Sequence, residues 1–375
     1  MILSASAFSA VSFSIHLESV LLAAARCRSQ PGEQHPEHDS PAVSVVRPVC
    51  GTETWSEETL RSTFELDYPR YEVLFCAAKG QDPILPLIER LIAAYPHVRA
   101  RILIGDDRIS ANPKLNNFAK GWRAASFPWI VVADSNVLMP RDYIQRLLSA
   151  WQPGTGLVCS PPVGSRAGNV WAELECAFLN TYQARWQYFA DALGLGFAQG
   201  KTMLWRREVL ECSGGIEALG MELAEDAAST KVVRRLGLRV RLVERPFEQP
   251  LGKRQLTEIW NRQLRWARLR RASFKAYFIP EVLTGGLAPI LIGAICAGAH
   301  GFSAIAAAAL LATIWYGAEA SLAIASGWHI SLRAPLIWAL RDLMVPLLWA
   351  QACIDSPFVW RGNEMQIAPA ASAPR

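Results

Sequence analysis

The chain has 375 residues, 51% of them hydrophobic, and a formal net charge of +5 at pH 7. That length holds one sizeable domain plus extra segments. The slight positive excess does not point to nucleic acid, whereas basic residues beside apolar segments suit an anionic membrane surface. The eight cysteines are scattered with no CxxC pair, which speaks against a zinc site or a disulfide framework and for reduced thiols in a cytosolic domain.

Residues 1–25 are apolar and small, and Arg26 and Arg28 follow them. A signal peptide carries its basic residues ahead of the apolar core. Here they come after it, so residues 1–26 are expected to anchor in the membrane with the N-terminus outside and the next domain in the cytosol. His16 and Glu18 keep an interfacial helix open as the alternative. Residues 27–42, rich in Gln, Pro, Glu, His and Ser, read as a linker.

A catalytic-sized domain is expected over 43–282. Its apolar runs and periodicities predict strands at 43–48, 71–78, 98–104 and 129–133, with helices at 56–66, 83–95 and 111–125 between and after them. Regular alternation of this kind implies an α/β domain with a mostly parallel sheet covered on both faces. Ligands then bind beyond the carboxyl ends of the strands, where Asp82 and Asp134 fall. Segment 168–192 carries Trp171, Phe178, Tyr182, Trp186, Tyr188 and Phe189, which suits a groove, a membrane interface or plain core packing. A strand at 202–205, a helix at 227–236, a strand at 238–243 and a long helix at 256–274 complete the domain.

Beyond residue 283 the chain becomes apolar. Residues 287–300 and 303–326 are nearly free of charge apart from Glu319, and each approaches the roughly 20 residues that cross a bilayer. They predict a transmembrane hairpin turning at Gly301. A third apolar stretch, 335–354, carries Arg341 and Asp342 near its middle. Charges at that depth are costly, so spanning, re-entrant and interfacial placements all stay open. Residues 356–375 form a tail.

Several acidic residues and one basic run stand out from this framework. In chain order they are Asp82, Asp134, Asp226 preceded by Glu225, and the run Arg262-x-x-Arg265-Trp266. This set resembles the D…D…D…(Q/R)xxRW pattern of inverting membrane glycosyltransferases of the GT-A fold. The hexapeptide Phe64-Glu65-Leu66-Asp67-Tyr68-Pro69, the pair Ile104-Gly105, the motif Asn112-Pro113-Lys114-x-Asn116-Asn117 and the short three-helix tail are similar to the ceramide glucosyltransferases, glycosyltransferase family 21. The resemblance runs over residues 40–360. It implies a GT-A nucleotide-sugar domain with membrane helices at both ends, a UDP-sugar donor, a ceramide acceptor, the membrane as partner and a divalent metal, Mg²⁺ or Mn²⁺.

Elementary chemistry assigns roles within that set. Asp82 can accept hydrogen bonds from uracil or ribose, or simply cap a turn. Asp134 can hold a hard cation bridging to a diphosphate, although Ser135 and Asn136 stand where related enzymes present a second aspartate. Lys114 can meet phosphate as a point charge, or be a solvated lysine, and Asn116 belongs to the same motif as a substrate contact. Asp226 is the expected general base of an inverting transfer, with Glu225 its rival. Arg262 and Arg265 share a helix face and can neutralise a departing UDP, with Trp266 walling the acceptor site. Arg268, Arg270, Arg271 and Lys275 are expected at lipid headgroups. Lys79 stands where animal relatives are acidic, and Gln183, a further substrate contact, where they carry histidine. Transfer of galactose, glucuronic acid or N-acetylglucosamine, transfer to a hopanoid, and lipid or sugar-nucleotide binding without turnover therefore remain as alternatives.

Overall fold

The computed structural model describes residues 2–28, 40–354, 358–360 and 363–365. Most of the predicted linker and tail thus lies outside the described residues. The apolar runs become strands β1 (Val43–Pro48), β2 (Tyr71–Ala77), β3 (Arg99–Ile104) and β4 (Trp129–Ala133), close to their expected bounds. Between them lie α2 (Ser56–Arg61), α3 (Leu85–Ala94) and α4 (Pro113–Ala124), after the N-terminal helix α1 (Ile2–Arg28). Helix α2 is shorter than expected.

The chain continues through α5 (Tyr143–Ser149), β5 (Thr155–Cys159), β6 (Pro162–Ala167) and α6 (Val170–Ala177). A π-helix, Phe178–Ala184, then leads into α7 (Arg185–Ala192). After it come β7 (Thr202–Arg206), α8 (Arg207–Glu211), α9 (Glu225–Arg235), β8 (Arg239–Leu242), β9 (Phe247–Gly252) and α10 (Leu256–Ser273). Strands β5, β6 and β9 are short and interrupted by Pro and Gly, which hides them from a periodicity reading.

The main sheet has the order β3-β2-β1-β4-β7-β5-β8. Pairings β1–β2, β2–β3, β1–β4 and β5–β8 are parallel, and β7 runs antiparallel between β4 and β5. The α/β, mostly parallel expectation holds, with β7 as the reversed strand. Because β7 is reversed, its N-terminal end meets the carboxyl ends of β1, β2 and β4. Helix α4 lies close on this sheet at Gly121, where a Cβ would come within 2.3 Å of Val46 Cγ1. Its start is defined by Asn112, whose side chain accepts from the Lys114 and Leu115 amides, and by Pro113 in the first turn.

The C-terminal part comprises α11 (Lys275–Phe278), α12 (Leu287–Ala299), α13 (Ala304–Ser326) and α14 (Ala334–Ala352). By length and composition, α1 and α13 can each cross a membrane. Helix α12 has 13 residues, about 20 Å at 1.5 Å per residue, too short for the full arm of the predicted hairpin. With residues 275–283 before it, bent by 45°, it can form one broken span. Helices α1, α12 and α13 pack together, while α14 packs on α10 and α6 of the catalytic domain. The charged pair in α14 is buried, with Arg341 fully enclosed and Asp342 nearly so. Arg341 grips Glu319 of α13 through both terminal nitrogens at 2.8 Å, and its Nε donates to Asp342 at 2.9 Å.

Candidate active site

The acidic residues come together at the carboxyl edge of the sheet, and the sheet topology is the reason. Asp134 directly follows β4. The register Ala133↔Thr202 sets residue 201 opposite it, and the Asp134 amide donates to the Lys201 carbonyl at 3.0 Å. Buried Arg47, inside β1, donates to the carbonyls of Asp134 and Val137 at 2.9 and 3.2 Å. Thr59 donates to the Ser135 carbonyl at 2.8 Å. The loop after β4 is therefore pinned from two sides.

Lys114, in the first turn of α4, is the hub. Its Nζ lies 2.7 Å from Asp134 Oδ1 and 2.7 Å from Glu225 Oε1, and it also donates to the Gly200 carbonyl. An ammonium has three donors, so all are committed. Glu225 is buried, and its other oxygen accepts from Asn112 Nδ2 at 2.7 Å. Both of its oxygens are taken up in bracing α4 against α9. Lys114 is thus a half-buried brace with all its donors committed, neither the solvated lysine nor the freely projecting phosphate ligand that its sequence allowed.

Asp226 stands apart from its neighbour. Its Oδ2 accepts from the Gly200 amide at 3.2 Å and its Oδ1 from the Ala227 amide at 2.8 Å. Burial first, and then the Glu225 carboxylate beside it, push its pKa up to about 6, with Lys114 pulling the other way. No side-chain cation pairs with it directly among the ion pairs of the described residues. At Gly200 a Cβ would lie 2.8 Å from Glu225 Oε1 and 3.0 Å from Lys114 Nζ, so only glycine lets the three groups converge. The geometry separates the two carboxylates: Glu225 is engaged on both oxygens, and Asp226 keeps lone pairs to spare.

The metal expected at Asp134 meets a different arrangement. Burial opposes its charge, but the Lys114 and Lys201 ammonium groups hold its carboxyl well below the usual range. Lys201 Nζ sits 2.9 Å from Asp134 Oδ2 and 3.2 Å from Asn136 Oδ1. Each Asp134 oxygen thus already faces an ammonium, and the amide that follows faces one too. Mg²⁺ is held by as few as one or two carboxylates, with water and substrate phosphates completing its shell, but it needs a carboxylate oxygen that does not already face a cation. Among the described residues no group of three His, Cys, Asp or Glu is arranged to hold a metal. The residues present do not fit a resident divalent cation at Asp134.

The remaining predicted residues fall into separate places. Asp82 follows β2, where its Oδ1 accepts from the Gly51 and Ile84 amides at 2.9 and 3.1 Å. It caps its own turn and ties it to the loop after β1. Asn116 is spent locally: its Oδ1 accepts from the Ile109 and Ser110 amides, both at 3.1 Å, and its Nδ2 donates to the Ser110 carbonyl at 3.1 Å. It shapes the loop before α4 with its Oδ1 and one of its two Nδ2 N–H groups.

Arg262 pairs with Glu175 of α6, whose other oxygen faces Arg254 Nε at 3.2 Å. Arg254 lies 3.6 Å from Glu53 in the loop after β1. One loop, 49–55, therefore touches Asp82 at one end and the arginine cluster at the other. Arg265 is half-buried one turn on, and Trp266 packs against Ala172, Cys176, Leu179 and Leu251. Gln183, in the π-helix, donates to Gln263 of α10 at 3.0 Å. Of the arginines expected at headgroups, Arg268 is buried, Arg270 pairs with Glu281 at 2.9 Å, and Arg271 donates to the Ala352 carbonyl at 2.8 Å. Arg270 and Arg271 join α10 to the C-terminal segments, and Lys275 is exposed.

Arg47, Glu175, Gly200 and Lys201 were not found by sequence reasoning. Arg47 had a signal, a single charge inside an apolar strand, and Glu175 a weaker one, as one of two glutamates in an apolar helix. Gly200 and Lys201 had none that periodicity carries.

The family model for glycosyl transferase family 21 matches residues 11–373, and the chain belongs to that family. Ceramide glucosyltransferase 3 of Caenorhabditis elegans is 26% identical over 335 residues, covering 88% of this chain and 73% of that protein. Ceramide glucosyltransferase 1 of the same organism is 28% identical over 250 residues, covering 66% and 54%; this chain thus spans about half of its length. The ceramide glucosyltransferase of Komagataella phaffii is 29% identical over 287 residues, covering 61% and 56%. Among solved structures, the mannosyltransferase PcManGT from Pyrobaculum calidifontis, in complex with GDP-Man and Mn²⁺, is similar at 18% identity with a TM-score of 0.46, covering 93% of this chain and 96% of that one.

Proposed function

We propose that this protein is an inverting transferase that moves glucose from UDP-glucose to the primary hydroxyl of ceramide at a membrane, releasing UDP. The observation that carries the reading is the division of labour between Glu225 and Asp226. Glu225 is locked to Lys114 and Asn112. Asp226, in the same helix turn, keeps free lone pairs and a pKa of about 6, suited to accept a proton near neutral pH. In the reaction Asp226 takes the hydroxyl proton while the hydroxyl oxygen attacks the anomeric carbon from the face opposite the diphosphate. The carbon–oxygen bond to the diphosphate breaks, and UDP carries away the electron pair.

The positive charges assist the departure, Arg262 and Arg265 among them, and Asp82 shapes the turn after β2 that borders the nucleoside end. Glucose and ceramide as substrates follow from the names of the relatives. The acceptor is drawn from the membrane that α1 and α13 are long and apolar enough to cross, and the basic residues closing α1 support a cytosolic catalytic domain. The decisive experiment offers the purified protein a panel of UDP-sugars with ceramide, diacylglycerol and a hopanoid, with products identified by mass. Glucosylceramide is the expected product. Product on diacylglycerol or hopanoid but not on ceramide overturns the acceptor, and transfer of another hexose in preference to glucose overturns the donor.

A further inference from the structure

Lys201 lies outside the sequence motifs described above, yet it stands at the place expected of a metal. The antiparallel register of β4 and β7 sets it opposite Asp134. Its Nζ reaches Asp134 Oδ2 at 2.9 Å and Asn136 Oδ1 at 3.2 Å. Its side chain is 16% exposed, against 15% for Lys114, so both ammonium groups reach the carboxyl edge on half-buried stems. Lys114 has three acceptors for its three N–H groups, whereas Lys201 has two and keeps one N–H to donate.

We propose that Lys201 is the ligand of the donor diphosphate and stands, as a fixed cation, in the position at Asp134 that a divalent metal would otherwise hold. Lys114 is the positioning residue that keeps Asp134 and Glu225 in place. The inference rests on the nucleotide-sugar reading above and concerns how the diphosphate is neutralised. A lysine is a compact point charge on a flexible four-carbon stem. It can turn from Asn136 onto a phosphoryl oxygen while remaining beside Asp134. A cation fixed in a partly buried site stabilises developing phosphate charge more strongly than it would in water. Three carboxylates, Asp134, Glu225 and Asp226, face two ammonium groups at this edge. With both ammonium groups the edge sums to about −1, and removing either takes it to about −2, which deepens the repulsion of a diphosphate.

The test is calorimetric binding of UDP to the full chain in detergent, first in excess EDTA and then in excess Mn²⁺. Wild type is expected to bind in EDTA with a Kd within about threefold of its value in Mn²⁺, whereas Lys201→Met weakens binding at least about tenfold. Lys201→Arg should retain most of the affinity, since it keeps the charge. The wild-type comparison needs no variant, and the Tm of each variant reports whether it has folded. Wild-type binding seen only with Mn²⁺ overturns the proposal and leaves the nucleotide-sugar reading standing. Unchanged affinity in a folded Lys201→Met protein also overturns it. No UDP binding in either condition removes both.

Discussion

Two clusters of charge, one buried among the C-terminal helices and one half-buried at the sheet edge, differ in whether their hydrogen bonds are used up. At the junction of α13, α14 and the π-helix, Arg341 donates to Glu319, Asp342 and Thr181, which occupies all five of its N–H groups. Asp342 further accepts from the Gly286 amide at 2.7 Å and the Tyr316 hydroxyl at 3.2 Å. At the sheet edge, Lys114 and Glu225 are equally saturated, but Lys201 has a donor and Asp226 has lone pairs to spare. A saturated cluster fixes helices, because every group already has its partner. An unsaturated one holds charge ready for a substrate, at a cost in stability. The contrast marks the first as architecture and the second as chemistry.

The comparison can be broken in four ways. Asp226→Asn removes the spare lone pairs at the sheet edge, and transfer should fall about 10²- to 10⁴-fold while UDP binding persists. Near-normal turnover would sink the base assignment. Arg341→Met strands Glu319 and Asp342 without their cation, which should cost about 3–5 kcal/mol, read as a large drop in Tm in detergent. Adding Glu319→Gln and Asp342→Asn to it should recover part of that loss. An unchanged Tm in the single variant would show that the cluster is not structural.

Gly200→Ala brings a methyl group within 2.8 Å of Glu225 Oε1. Overpacking of this kind costs about 1–3 kcal/mol, and activity should fall with it; a variant as active as wild type would mean that the convergence at Gly200 is loose. The mildest effect is on pH. Because only the carboxylate of Asp226 accepts a proton, kcat/KM should fall about tenfold per pH unit below pH 6 and level off above it. Its folded pKa of about 6 lies above the ordinary carboxylate value near 4. The folded protein therefore binds more protons in that window, and the Asp226 contribution to stability declines as pH rises from about 4 to 6. Asp226→Asn should consequently be at least as stable as wild type at pH 7, with the difference vanishing toward pH 4. A lower Tm for the variant at pH 7 would contradict the raised pKa.

Much of the fold was legible because it depends on local periodicity. β4 came out at its expected bounds, and β1 to β3 within a residue. β5, β6 and β9 were not legible: their five or six residues include Gly or Pro, and only pairing partners far along the chain define them. The candidate site divides in the same way. Asp134 was legible because it follows an apolar run, and Asp226 because it opens a helix. Asn116 was ambiguous: a polar residue in a motif reports equally on a ligand or on a loop, and here the loop takes its Oδ1 and one Nδ2 N–H. The arginines after Trp266 were placed at headgroups for want of any sign of Glu281 or the Ala352 carbonyl.

The sequence by itself determined an α/β domain with aspartates past its strand ends, apolar helices on either side, and membership of a family. Those properties follow from composition and short-range pattern, which survive without knowledge of contacts. Only the tertiary structure decided what each charge faces. It reversed β7, and so brought Lys201 beside Asp134, although Lys201 and Asn136 are 65 residues apart in the chain. It also gave Glu225 to Lys114 and left Asp226 open. A carboxylate in sequence is only a charge. Whether it braces a helix or accepts a proton depends on its neighbours, and long-range pairing chooses them.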